Sequence, residues 1–135
     1  MATRIREKAR LAAENKDVRP RAKARYIRMS SSKIAIVLDL IRGKGFFDAL
    51  AILQNNTNKA SRPVLKALNS AGANAENNLN ISKDDLYVAE VYATQGPSFK
   101  RARKAGRKPR RMPMDIITRR TAHITVILDS IKEKK

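Results

Sequence analysis

The chain has 135 residues, 42% of them apolar, enough for one domain with a modest core and hardly for two. Its 30 Lys and Arg against 12 Asp and Glu give a formal net charge of +18, which selects a polyanion as partner, nucleic acid ahead of an anionic membrane. Cysteine is absent, which excludes disulfides, thiolate metal sites and a cysteine nucleophile.

Charge is unevenly spread. Residues 1–28 carry ten bases and three acids, residues 29–98 seven and six, and residues 99–135 thirteen and three. A near-neutral body therefore exports its excess to two flanks. The first flank, residues 1–21, has no hydrophobic signal-peptide stretch, and Glu7, Glu14 and Asp17 argue against a transit peptide. It reads as a basic N-terminal extension, with two alternatives: a tail disordered when free that folds on RNA, or a contact to a neighbouring protein.

Next, "AKARYIRM" (22–29) alternates Ala22, Ala24 and Tyr26 with Lys23, Arg25 and Ile27, which predicts an edge strand. Ser30, Ser31 and Ser32 offer N-caps for a helix through Arg42, with Ile34, Val37, Leu38 and Ile41 on one stripe and Gly43 at its stop. Phe46, Phe47, Leu50 and Leu53 mark a second helix ending near "QNNTN". A third runs from about 61 to 77, burying Val64, Leu65, Leu68, Ala71 and Ala75. Its small residues 70–73 permit close packing, although Gly72 costs about 1 kcal/mol of helix propensity. Ser82 is placed to cap a turn. "LYVAEVYAT" (86–94) and "RTAHITVILD" (120–129) are strands, the second with Ala122, Ile124, Val126 and Leu128 on one face. The simplest topology pairs them antiparallel, their ends running beyond the body as a long hairpin.

That hairpin, about residues 96–120, contains "KRARKAGRKPRR", eight bases in twelve residues. A charge run is ordinarily a solvated tail. This one is internal and flanked by strands, which favours a finger that orders against phosphates, since a free two-stranded ribbon is marginal in water. Its bases Lys100, Arg101, Arg103, Lys104, Arg107, Lys108, Arg110, Arg111, Arg119 and Arg120 are the candidate phosphate contacts. With three Phe, three Tyr and no Trp in the chain, phosphate contact and shape recognition fit better than base stacking. Two targets follow: folded RNA, or DNA held by an architectural protein with a basic β-arm.

Catalysis finds little support. His123 stands alone, beside a strand start rich in Arg, and suits a structural role or an RNA contact better than acid–base work. "RGKG" (42–45) fails the phosphate-loop pattern, having Leu38 where the first glycine belongs and Gly45 in place of Ser or Thr. A helix stop and turn is the better account. No cluster of metal ligands stands out, and no cofactor is expected.

"ARYIRMSSSKIAIVLDLIRGK", "ALAIL", "ANAENN", "LYVAE", "GPSFKRARKAGR" and "RTAHITV" follow one another in the order of a known family. The sequence resembles the large-subunit ribosomal protein family L-twenty-two of bacterial type, over residues 22–128. The resemblance implies an α+β fold: a small three-stranded antiparallel sheet packed on three helices, with a long protruding basic β-hairpin, in one domain over residues 22–135. It implies a non-enzymatic constituent of the cytoplasmic ribosome that binds large-subunit rRNA and bridges its domains during assembly. The expected partners are that rRNA, neighbouring ribosomal proteins and the nascent polypeptide, with no membrane. Arg25, Arg28 and Lys33 match the family's opening motif. Lys100 and Arg101 match its outgoing arm, Gly106 and Arg107 its tip, and Arg120, Thr121 and His123 its return. The family's tip lines the nascent-peptide exit tunnel. Here the tip runs a few residues longer, so the tunnel-facing residues are bracketed as Lys104, Ala105, Gly106, Arg107, Lys108, Pro109, Arg110, Arg111 and Met112.

Overall fold

Apolar residues at helical spacing decide the body. The computed structural model describes residues 2–14, 17–104 and 114–130. Helix α1 spans Ala2–Glu14 and strand β1 Arg21–Ile27, followed by α2 (Ser31–Ile41), α3 (Phe46–Asn55) and α4 (Ser61–Leu79). A 3-10 turn at Lys83–Asp85 leads into β2 (Leu86–Gln95), then β3 (Phe99–Lys104), β4 (Met114–Arg119) and β5 (Ala122–Ser130). Ile34, Val37, Leu38 and Ile41 of α2 are buried together with Phe46, Ala49 and Leu53 of α3 and Val64, Leu68, Ala71 and Ala75 of α4. They meet Leu86, Val88 and Val91 of β2 and Ile124, Val126 and Leu128 of β5. α2 to α4 thus cover one face of the sheet, and the fold expected from the sequence is the fold observed.

The sheet order is β1-β5-β2, with both neighbours antiparallel to β5. As the middle strand, β5 buries Thr125 and Ile127 on its other face as well. In register, Lys23 and Tyr92 flank Thr125, while Arg21 and Glu90 flank Ile127. The longer side chains of the two outer strands therefore shelter the middle one.

Two local expectations are corrected. The alternation along β1 breaks at its end: Tyr26 takes a left-handed conformation (φ 57°) and the pairing slips between Ala24 and Ile27. Tyr26 is thereby exposed and Ile27 packs against the core. Such a conformation costs a residue with a Cβ roughly 1–2 kcal/mol, so the surroundings must enforce it. Second, neither Ser30 at the start of α2 nor Ser82 before the 3-10 turn makes a side-chain cap. The Ser30 hydroxyl faces that of Ser32 at 3.2 Å instead. In addition, the extension contains helix α1, an element that the sequence reading did not place. "REKARLAAE" is composed of good helix formers, and residues 3–11 are exposed.

The stop after α2 does more than end a helix. Gly43 (φ 73°) donates its N–H to the Val88 carbonyl, and the Val88 N–H donates to the Lys44 carbonyl. Arg42 also reaches the Val91 carbonyl. The "RGKG" turn thus occupies the outer edge of β2. On the other side, the Asn74 amide of α4 donates to the Arg21 carbonyl at 3.0 Å.

Gly72 is where α4 meets α3. A Cβ there would lie 2.7 Å from two ring carbons of the buried Phe46. The overpacking from Gly72→Ala costs about 1–3 kcal/mol, more than offsetting the roughly 1 kcal/mol gained in helix propensity. The variant should melt a few degrees lower in a calorimetric scan; an unchanged or higher Tm would contradict this packing.

Candidate nucleic-acid interface

The basic arm is a ribbon of its own. β3 and β4 form a separate two-stranded antiparallel sheet, with Phe99 opposite Arg119 and Lys104 opposite Met114. The expectation that β2 and β5 simply continue into the hairpin needs one amendment, since pairing is interrupted between body and arm. Pro97 has no N–H to offer a ladder. In its place Gly96 donates its N–H to the Thr121 carbonyl at 2.9 Å, and the Thr121 hydroxyl donates to the Pro97 carbonyl at 2.5 Å. Thr121 is buried. A Cβ on Gly96 would approach the Thr121 hydroxyl to 2.6 Å and the His123 ring to 3.1 Å, so the crossing has no room for a side chain.

Beyond this joint, residues 99–103 and 116–120 are exposed on both faces of the ribbon. Alternation places Arg101 and Arg103 on one face and Lys100 on the other. Ile117 stands opposite Arg101 and Ile116 opposite Ala102, both exposed. The arm thus presents cations to two sides, with short apolar patches between them. Asp115, the acid of this stretch, is in register with Arg103. Arg107, Lys108, Arg110 and Arg111, and the tip from Ala105 through Gly106 and Pro109 to Met112, lie outside the described residues.

The opening-motif residues take different places. Ile27 pairs with Ala122, so Arg28, the next residue, comes up beside Thr121 at the arm's root, while Arg25 lies on the sheet face with Tyr26 and His123. Lys33 follows, exposed in the first turn of α2. His123 is half-buried, and its Nδ1 accepts the Tyr26 N–H at 2.9 Å. The two rings meet edge-on, with centroids 4.9 Å apart. His123 therefore locks the bulge in β1, which gives it a structural duty at the interface.

Sequence reasoning missed the Gly96–Thr121 joint and the role of Tyr26. The break in alternation at "RYIR" was the available sign of the second. It also missed a charge cluster in the strap before β1. There Arg19 pairs with Asp17 at 2.8 Å and with Glu90 of β2 at 2.9 Å. Hydrogen bonds from the Arg19 side chain and then its N–H hold the Asp17 carboxyl down at about 2, from an ordinary 3.8.

A search of protein families matches residues 22–129 to the family described as ribosomal protein L22p/L17e. The chain belongs to the ribosomal protein L22p/L17e family. Among its relatives, a large ribosomal subunit protein uL22 of Desulfitobacterium hafniense is 50% identical over 114 residues, covering 84% of this chain and 96% of the relative. The protein of that name from Pelotomaculum thermopropionicum is 46% identical over 115 residues, with the same coverage. That from Clostridium novyi is 48% identical over 109 residues, 80% of this chain and 94% of the relative. Family membership makes the protein a structural constituent of the large ribosomal subunit and not an enzyme. The family match begins at Ala22, so α1 and the strap lie outside it.

Two outcomes test this geometry. Thr121→Val removes the hydroxyl from the Pro97 carbonyl and should cost about 1 kcal/mol in denaturant unfolding; no loss would mean the joint is not held there. Asp17, its pKa depressed, contributes stability that is complete above its ordinary value and fades as pH falls towards 2. Its carboxyl resonance followed by NMR should titrate near 2, and a midpoint near 3.8 would dissolve the cluster.

Proposed function

We propose that the protein grips large-subunit rRNA chiefly with its arm and the arm's root, and bridges separate RNA domains as the subunit assembles in the cytoplasm. The observation that carries this is a ribbon exposed on both faces, cationic on both, and anchored by a buried threonine. Such a ribbon has no core of its own and is marginal alone. Phosphates on both sides would supply what it lacks, and each neutralised phosphate releases counterions. Arg101 and Arg103 are suited to bidentate phosphate contact, and Lys100 and Lys104 to point-charge contact. Family membership supports extending the account to the tip, residues 104–112, as a wall element of the nascent-peptide exit tunnel, with neighbouring ribosomal proteins as further partners.

Competition between labelled large-subunit rRNA and duplex DNA at near-physiological salt is the test. RNA should win, and duplex DNA winning would favour an architectural DNA binder instead. In Arg101→Gln/Arg103→Gln, the slope of log affinity against log salt should fall by about 1.5–2. A slope equal to the parent's would remove the arm from the interface.

A further inference from the structure

Opposite the helices, the three-stranded sheet has a face that the arm does not use. We infer that this face is a binding site for one unpaired nucleotide of RNA, its base stacked on Tyr26 and Tyr92 and its phosphate held by Lys23 and Arg25. This rests on the rRNA-binding role proposed above and adds to it a ligand that is not a helix backbone.

A cleft of about 410 Å³ lies across the strands. Its floor is β5, with Thr125 and His123; β1 forms one wall with Lys23, Arg25 and Tyr26, and β2 the other with Tyr92. The register explains the placement, because Lys23 and Tyr92 stand on either side of Thr125. Both tyrosines are exposed, Tyr26 at 63% and Tyr92 at 43%. The cleft's volume falls in the range of small-ligand sites.

The bulge is the decisive feature. A regular β1 would not need an aromatic residue in a left-handed conformation. Bulges re-aim side chains, and strained backbone persists where the surroundings enforce it. Here His123 enforces it by taking the Tyr26 N–H, and its edge-on contact with the Tyr26 ring occupies at most one ring face. The result is a fixed aromatic surface turned towards solvent beside two cations. Glu90, two residues before Tyr92, is the carboxylate that would repel a phosphate, and Arg19 pairs with it at 2.9 Å. Aromatic rings on an open sheet with basic neighbours are a recurrent way to hold splayed-out bases. The low aromatic count argued against stacking, but a count says nothing of where the rings converge.

The chain has no Trp and three Tyr, two of them in the cleft, so tyrosine fluorescence reports on the site directly. A short single-stranded oligoribonucleotide should quench it, and the same sequence fully paired in a duplex should quench it less. Tyr92→Ala should bind the single strand roughly 5- to 150-fold more weakly, with an unchanged salt slope, while Tyr92→Phe binds as the parent does. Tyr26→Ala should behave alike; because the bulge could refold without the ring, Tyr92→Ala, checked for an unaltered melting curve, decides the matter. Equal quenching by duplex, or Tyr92→Ala binding like the parent, would overturn the site. If Arg101→Gln/Arg103→Gln loses rRNA while Tyr92→Ala keeps it, the cleft is wrong and the arm stands. A parent chain that binds neither rRNA nor oligonucleotide would defeat both.

Discussion

Everything in this protein is organised by the insertion of β5 between β1 and β2. Its inward side chains Ile124, Val126 and Leu128 complete the core against the helices. Its register with β1 sets Ile27 opposite Ala122 and so places Arg28 at the arm's root. Its register with β2 brings Gln95 to the same level, from which the chain leaves through Gly96 and Pro97. One middle strand thus fixes the hydrophobic core, the exit direction of the arm and the cations that gather at its base.

The division of labour between body and arm follows from charge. The core depends on uncharged contact, and the middle of the sequence is close to neutral. The arm and the first 28 residues carry most of the excess, where solvent or phosphate can reach it. A body with this density of like charges would work against its own compaction. Placing them on a ribbon lets the core form without that penalty.

Helices α2 to α4 and strands β2 and β5 were legible because their apolar periods are clean, as in Ile34, Val37, Leu38 and Ile41, whereas α1, exposed over residues 3–11, has no buried stripe to announce it. The close approach at "SAGA" was legible too, since small residues at a contact leave few alternatives. What escaped were features made by partners distant in sequence. Tyr26 owes its conformation to His123, 97 positions away, and no local pattern encodes that bond. The joint between arm and body depends on Thr121 reaching Pro97. Serine caps failed for the converse reason: Ser30 and Ser82 have the right chemistry, but capping is a matter of side-chain rotation that sequence does not fix. Arm residues were identified by charge and by likeness to a family, and the structure adds which face of the ribbon the described ones occupy.

The turn at Arg42–Lys44 has a consequence for the life of the chain before it meets RNA. A sheet edge left bare invites a second copy to add its own strand, the first step of many insoluble aggregates. Here backbone from the same molecule already fills that position at Tyr87 and Val88 of β2. The ribbon of β3 and β4 cannot be sealed in this way without hiding the surface it must offer. Its protection is electrostatic: two such ribbons, each lined with Lys and Arg, repel one another at the distance where strands would pair. A newly made molecule is thereby kept apart from its siblings by the same cations proposed above as its grip on RNA.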